Sequence, residues 1–459
     1  MARDVSDSTP IGSKEELISW IAAGEKPESR FRIGTEHEKF PFYREDLAPV
    51  PYEGRAGAGG IRALLEGMQQ RLGWEPIVDA GNIIGLGGPD GGGAISLEPG
   101  GQFELSGAPL ETIHQTQAEL AAHLADVKAV AEPHGIGFAA LGASPLWTRA
   151  QTPMMPKSRY KIMANYMPKV GTMGLDMMFR TCTVQVNLDF ASEADMVRKL
   201  RVSLALQPFA TALFASSPFL ERKLNGFQSM RSEIWRDTDN NRSGMLAFAF
   251  DEGMSYEAYV DWALDVPMYF VKRGETYHDV AGASFRDLMA GKLKQLPGEC
   301  ATMSDWVNHL GTLFPEVRLK RFLEMRGADA GPADMLAALP AFWVGLLYDR
   351  GALDAAWDLV KGWSAEQRQG LRDAAPKLGL DASIAGRKLG EIASEVLELS
   401  RAGLARRARR DAAGHDESIY LAPLQEILAS GQTLAQRLEA RYRGPWGGKV
   451  EPVFTELAL

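Results

Sequence analysis

From Phe31 the chain alternates with period two: Arg32, Gly34, Glu36 and Glu38 fall on one side, and Ile33, Thr35, His37 and Lys39 on the other. Successive side chains of a strand point to opposite faces, so this pattern predicts a strand. Before it, Ser13-Lys14-Glu15-Glu16 spells a capping box and predicts a helix to about Gly24. A glycine-rich loop over 54–60 precedes a helical pattern over 61–72. Alternation on both sides of Pro99-Gly100-Gly101 predicts a β-hairpin, and a long helix is expected over 110–132. Residues 179–190 (FRTCTVQVNLDF), strictly alternating and rich in β-branched side chains, give the clearest strand signal. A helix over 193–213 and an alternating strand over 316–326 (EVRLKRFLEMR) follow. From Pro332 onward Ala, Leu, Glu and Arg recur at helical spacing. Strands interspersed with helices, then a helical run, predict an α+β fold with an antiparallel sheet.

The chain has 459 residues, 45% of them hydrophobic, enough for a sizeable buried core. Lys and Arg (50) against Asp and Glu (59) leave a net charge of -9, so no basic field exists to attract nucleic acid or anionic lipid. Two cysteines exclude a disulfide framework and indicate a reducing compartment. Cys182 alternates with core valines and Cys300 lies in a Pro-Gly loop; a bond between them is left open. The amino terminus has no apolar leader core, and Asp4, Asp7, Glu15 and Glu16 argue against a transit peptide. The longest apolar stretch, 335–348, contains Pro340 and Gly345 and falls short of the roughly 20 residues of a spanning helix. A cytoplasmic protein with neither membrane nor nucleic-acid partner is expected.

Chemistry gathers on four segments. Glu36 and Glu38 share one strand face, and adjacent carboxylates repel unless a cation offsets them; taken alone, such a pair is more often a solvated edge. Glu98, Gln102 and Glu104 fall on one polar face of the hairpin, over Ile95, Leu97, Phe103 and Leu105. Thr181, Thr183, Gln185, Asn187 and Asp189 form a polar face opposite Cys182, Val184, Val186, Leu188 and Phe190, which suggests a wet cleft or a cation site. Glu324 and Arg326 share a face with Arg318 and Lys320, as an ion pair or as a metal ligand beside a phosphate clamp. Arg231, Arg236 and Arg242 within one loop, and Lys157, Arg159 and Lys161 in another, are basic clusters suited to phosphate and carboxylate groups. Gly85-x-Gly87 continues to Asp90 and spells no dinucleotide fingerprint, and no P-loop is present. The histidines lack zinc spacing; His37, opposite the acidic pair, is expected to be structural.

The strings at 31–42 (FRIGTEHEKFPF), 156–190 (PKSRYKIMANYMPKVGTMGLDMMFRTCTVQVNLDF), 231–244 (RSEIWRDTDNNRSG), 318–329 (RLKRFLEMRGAD) and 442–454 (YRGPWGGKVEPVF) resemble the glutamate–cysteine ligase family, in the plant-type branch shared with many proteobacteria. The resemblance spans nearly the whole chain. It implies a curved, mostly antiparallel sheet similar to the glutamine synthetase catalytic domain, in a catalytic region over 1–330, with a helical region over 331–459 packed on it. It implies ATP-dependent joining of the γ-carboxylate of glutamate to the amine of cysteine through γ-glutamyl phosphate, the first step of glutathione synthesis. Two or three Mg²⁺ ions would sit on Glu36, Glu38, Glu98, Glu104, Gln185 and Glu324. Arg180, Arg231, Trp235 and Thr183 would bind substrate. Lys157, Lys161, Arg236 and Arg326 would bind phosphate, and Glu324 and Arg326 would act in catalysis. Strict alternation turns Arg180 away from Gln185, so Arg180 reaches the cleft only through a bend or bulge. The redox-paired cysteines and plastid leader of plant members are not expected, which suggests a bacterial cytosolic enzyme, monomeric or homodimeric. Rival readings are a γ-glutamyl ligase for another amine, a guanidino-kinase-like phosphotransferase, and a silent glutamate or nucleotide sensor.

Overall fold

Strand β1 (Ile33–Tyr43) is the centre of a nine-stranded sheet. The other strands are β2 (Glu75–Asp79), β3 (Asn82–Gly87), β4 (Ala94–Leu97), β5 (Phe103–Ser106), β6 (Ile136–Ala139), β7 (Thr183–Leu188), β8 (Val317–Leu319) and β9 (Leu323–Asp329). Their order is β8-β9-β7-β1-β5-β4-β3-β2, with β6 on the second half of β1, and every pairing in it is antiparallel. This is a computed structural model describing residues 7–459; Asp4, used above against a leader, lies outside them.

Alternation sorts the two faces of the sheet. Ile33, Val184, Val186, Leu188, Leu323 and Met325 point backward into one apolar cluster. That cluster also takes Leu204 and Phe209 of a helix over Glu193–Leu213, and Leu336 and Phe342 of a helix over Ala333–Leu347. Residues beyond 331 thus complete the same core that the strands begin. His37 and Lys39 also point backward and are buried. Lys39 Nζ lies 2.9 Å from His123 Nε2, and burial lowers its ammonium to about 7. His37 packs edge-on against His123, in keeping with a structural part.

Several expectations need correction. Ser13 caps no N–H of the helix Lys14–Ala22; Glu16 instead accepts from the Gly12 N–H at 3.3 Å. The capping box forms at Thr112 and Gln115, so the helix Ile113–Ala131 starts later than expected. Strands β2 and β3 were not anticipated because their segment is so rich in glycine. At Gly85 a Cβ would meet the Ile95 carbonyl oxygen at 2.5 Å, so the close approach of neighbouring backbone requires glycine there.

The strand expected over 179–190 begins only at Thr183: Phe179 and Arg180 end a helix, Gly174–Arg180, whose Asp176 and Arg180 pair one turn apart. The strand expected over 316–326 is the hairpin β8–β9, with Arg318 opposite Glu324. Alternation is blind to a tight turn that preserves parity. Cys182 is buried and Cys300 exposed, both as free thiols, so the bond left open does not form. Among the described residues no helix is long and apolar enough to cross a membrane.

Candidate active site

Sheet register assembles the polar front face. Glu38 sits directly across from Glu104 on β5, Glu36 across from Gln185 on β7, and Asn187 across from Glu324 on β9. Facing residues on paired strands have Cβ atoms about 5 Å apart, so register alone makes one continuous row from four strands. The row floors an open cavity whose interior admits water over about 110 Å³.

The floor is acidic, and its electrostatics divide in two. Glu38 accepts from the Thr183 N–H at 2.9 Å, and Glu36 from the Asn187 side-chain amide at 2.9 Å. Burial, with Glu98 and Glu104 as neighbours, still pushes the Glu38 carboxyl well above the usual range. Burial, then Glu324 and Glu104, raise Glu36 in the same way. Glu324 behaves oppositely. Burial pushes it upward, but Arg318 (2.6 Å), Lys320 (3.5 Å) and Arg326 (2.7 Å) overcome this and hold it well below the carboxylate range.

Arg326 reaches the cavity through a bulge. Pairing of β9 with β7 slips between Met325 and Ala328, leaving Arg326 and Gly327 outside the ladder. A bulge re-aims side chains and frees backbone groups. Here the Arg326 guanidinium donates to Gln185 (2.7 Å) and Glu324 (2.7 Å), while its carbonyl accepts from Arg231 at 2.8 Å. The bend anticipated near Arg180 therefore lies on the neighbouring strand.

Of the expected site residues, Glu36, Glu38, Glu98, Glu104, Thr183, Gln185, Arg231, Trp235 and Arg326 line the cavity. Five others do not. Arg180 is bound to Asp176, to Glu221 (2.6 Å) and to the Trp147 carbonyl (3.3 Å), because its helix directs it away from the sheet. Arg236 is tied to Glu233 (2.9 Å) and Asp373 (3.0 Å). Lys161 is on the exposed side of the helix Ser158–Tyr166, and Lys157 is buried with its Nζ 5.3 Å from the centre of the Tyr160 ring. Glu324 is sealed beneath the floor by its three cations. The lining also includes Arg159, Tyr160, Met163, Met177 and Met178, which no strand pattern marks because they sit on helices, and Phe314, in a two-residue strand too short to show alternation. Arg180→Ala is expected to cost about 3 kcal/mol of stability, as loss of a buried ion partner does, with glutamate saturation unchanged. Urea unfolding and initial rates over a glutamate series test both halves.

Among the described residues no three His, Cys, Asp or Glu side chains form a ready-made metal cage. The donor set nevertheless fits a hard divalent cation: Glu36 and Glu38 carry buried charge that the protein alone does not offset, and carboxylate oxygens are the ligands Mg²⁺ takes. Glu324 does not fit that role, since three cations already neutralise it.

The model for glutamate–cysteine ligase family 2 matches residues 32–456. The chain is 56% identical to the chloroplastic glutamate–cysteine ligase of Nicotiana tabacum, covering 97% of this chain and 83% of that one. It is 55% identical to chloroplastic glutamate–cysteine ligase B of Oryza sativa subsp. japonica, over 97% and 87%. It is 55% identical to the chloroplastic enzyme of Arabidopsis thaliana, over 97% and 83%. Among solved structures, the glutamate–cysteine ligase of Francisella tularensis in complex with AMP shares the fold, with a TM-score of 0.52 and 11% identity over 90% of this chain and 85% of that one. The chloroplastic relatives contradict the cytoplasmic address expected from the sequence. A low cysteine count does not distinguish one reducing compartment from another.

Proposed function

This chain belongs to glutamate–cysteine ligase family 2, and we infer that it joins the γ-carboxylate of glutamate to the amine of cysteine with ATP as co-substrate. The observation that carries the reading in the structure is the register-built row of Glu36, Glu38, Glu104 and Gln185 beside Arg326. A carboxylate is a poor electrophile. Transfer of the γ-phosphoryl group of ATP onto it gives γ-glutamyl phosphate and ADP. The cysteine amine then attacks the acyl carbon, a C–N bond forms, and phosphate leaves with the C–O bond pair.

Each side chain has a task in that sequence. Arg326, braced by Gln185 and Glu324, presents a fixed guanidinium to the phosphoryl oxygens. Glu36, Glu38, Glu98 and Glu104, with Gln185 beside them, would hold Mg²⁺. When bound there, the ion neutralises charge on the phosphates. Arg231 Nε and Trp235 Nε1 are buried donors without a partner in the structure. Buried donors are rarely left unmet, so these two suit a substrate carboxylate, with Thr183 on the floor beneath. The partly closed cavity keeps water from the acyl phosphate.

The test is ADP release and product mass with glutamate, ATP and Mg²⁺, comparing cysteine with other amines. The ligase reading expects ADP and γ-glutamylcysteine in equal amounts; a phosphotransferase yields ADP and no amide. Metal removal supplies a further prediction. Glu36 and Glu38 have folded values raised above their unfolded ones, so their contribution favours folding at low pH and is lost as pH rises through the raised values. Protein stripped with EDTA should therefore lose thermal stability from mildly acidic to neutral pH, and Mg²⁺ should offset that loss. Melting curves with and without Mg²⁺ across pH check it.

A further inference from the structure

Where β9 slips against β7, the carbonyls of residues 326–328 are all taken by side chains. Arg231 donates to the Arg326 carbonyl at 2.8 Å, and the Thr183 hydroxyl to that of Ala328 at 2.8 Å; both donors belong to the cavity lining. The Gly327 carbonyl is met from behind the sheet, where Thr211 Oγ1 donates to it at 3.1 Å. Thr211 lies on the helix Glu193–Leu213, which packs in the core behind the strands, and it is buried. One turn earlier, Gln207 is 1% exposed, and neither atom of its amide has a hydrogen-bond partner among the described residues. Residues four apart share a helix face, so both side chains meet the same stretch of β9. A β-carbon on Gly327 would lie 2.4 Å from Gln207 Nε2 and 2.8 Å from its Cγ and Cδ. Gly327 does not have a positive φ, so packing and not backbone conformation calls for glycine here. Gln207 occupies the space that any side chain at 327 would need.

We propose that Thr211 and Gln207 are positioning residues for the phosphoryl transfer: from behind the sheet they hold the β9 bulge in the shape that aims the Arg326 guanidinium into the cavity. The proposal rests on the ligase reading above, in which Arg326 meets the phosphoryl oxygens. A bulge has lost its ladder bonds, so its shape depends on what replaces them. Thr211 supplies the replacement bond to Gly327, and Gln207 keeps the bulge from settling back toward the helix. Arg326 adjoins Gly327, so a backbone shift there swings the guanidinium away from Gln185 and Glu324, each now at 2.7 Å. Misplacing a positioned group by about 1 Å can cost on the order of 10²-fold in rate. Neither Thr211 nor Gln207 lines the cavity, so an effect of either on turnover must pass through β9.

The experiment measures kcat and KM for ATP and glutamate, with cysteine and Mg²⁺ present, beside melting temperature. Thr211→Val keeps the side-chain shape and removes the hydroxyl. Its kcat per folded enzyme should fall about 10-fold, with the glutamate KM moved by less than about 2-fold. Thr211→Ser, which keeps the donor, should stay within about 2-fold of the unmodified protein. Gly327→Ala should lower kcat on the order of 10²-fold, and adding Gln207→Ala should recover about 10-fold of that loss by opening the room the new methyl needs. A Thr211→Val enzyme that melts earlier but keeps its kcat would overturn the proposal, since the hydroxyl would then serve stability alone. So would an equal loss in Gly327→Ala with and without Gln207→Ala. If Gly327→Ala does not fold, the two Thr211 variants decide by themselves. An unmodified protein that forms no γ-glutamylcysteine would instead defeat the ligase reading on which the proposal rests.

Discussion

Glu38→Gln is expected to abolish most turnover, by on the order of 10²–10³-fold in kcat/KM, while leaving the protein at least as stable as before. The two effects have one cause. Glu38 lies among Glu98 and Glu104, and burial with their repulsion raises its carboxyl well above the usual range. At neutral pH its charge therefore opposes folding of the metal-free protein. A neutral amide of the same shape removes that cost, and its oxygen can still accept from the Thr183 N–H that Glu38 engages at 2.9 Å. The same change removes a ligand where Mg²⁺ and phosphate charge must be balanced. Melting temperature in EDTA, read beside steady-state rates, separates the outcomes: a variant that retains near-normal ADP release would reject the assigned role, whatever its stability.

Glu324→Gln should give the opposite signature, a loss of about 3–5 kcal/mol in unfolding free energy. Glu324 is fully buried and is the shared counter-charge of Arg318, Lys320 and Arg326. Neutralising it strands three cations beneath the floor of the cavity. Because its folded carboxyl is depressed, its contribution is present above the ordinary carboxylate value and fades as pH falls toward the depressed one. The gap between wild type and variant should thus be widest at neutral pH and shrink in acid. Activity should fall too, since one of the two side chains bracing Arg326 loses its charge. Urea midpoints at neutral and acidic pH measure the gap. A variant as stable as wild type but with weakened Mg²⁺ binding would return Glu324 to the ligand set expected from the sequence.

Much of the floor was legible before any coordinates. Period two put Glu36 with Glu38 and Thr183 with Gln185, and the hairpin put Glu98 with Glu104. All six line the cavity, because a strand's parity is fixed by local backbone geometry. The failures share a different origin. Arg180 sits in the same alternating string as Gln185, yet helix formation over Gly174–Arg180 takes it out of the sheet and into ion pairs with Asp176 and Glu221. Lys161 and Arg236 are basic residues near the site in sequence, and the exposed or ion-paired face each one takes is set by the helix around it. Glu324 was correctly placed on the polar face, but its partner across the turn, Arg318, converts a free acid into a neutralised one.

The sequence alone determined the α+β class, the family and the faces on which the acids lie, since each follows from the order of residue types along a single stretch of chain. Tertiary structure decided which strands meet in register, where β9 bulges to deliver Arg326, and which helices close the cavity with methionine and tyrosine. These depend on contacts between segments tens to hundreds of residues apart. A local pattern carries the direction of a side chain, but its neighbours across the gap, and so its charge and its chemistry, are fixed only when the distant segment arrives.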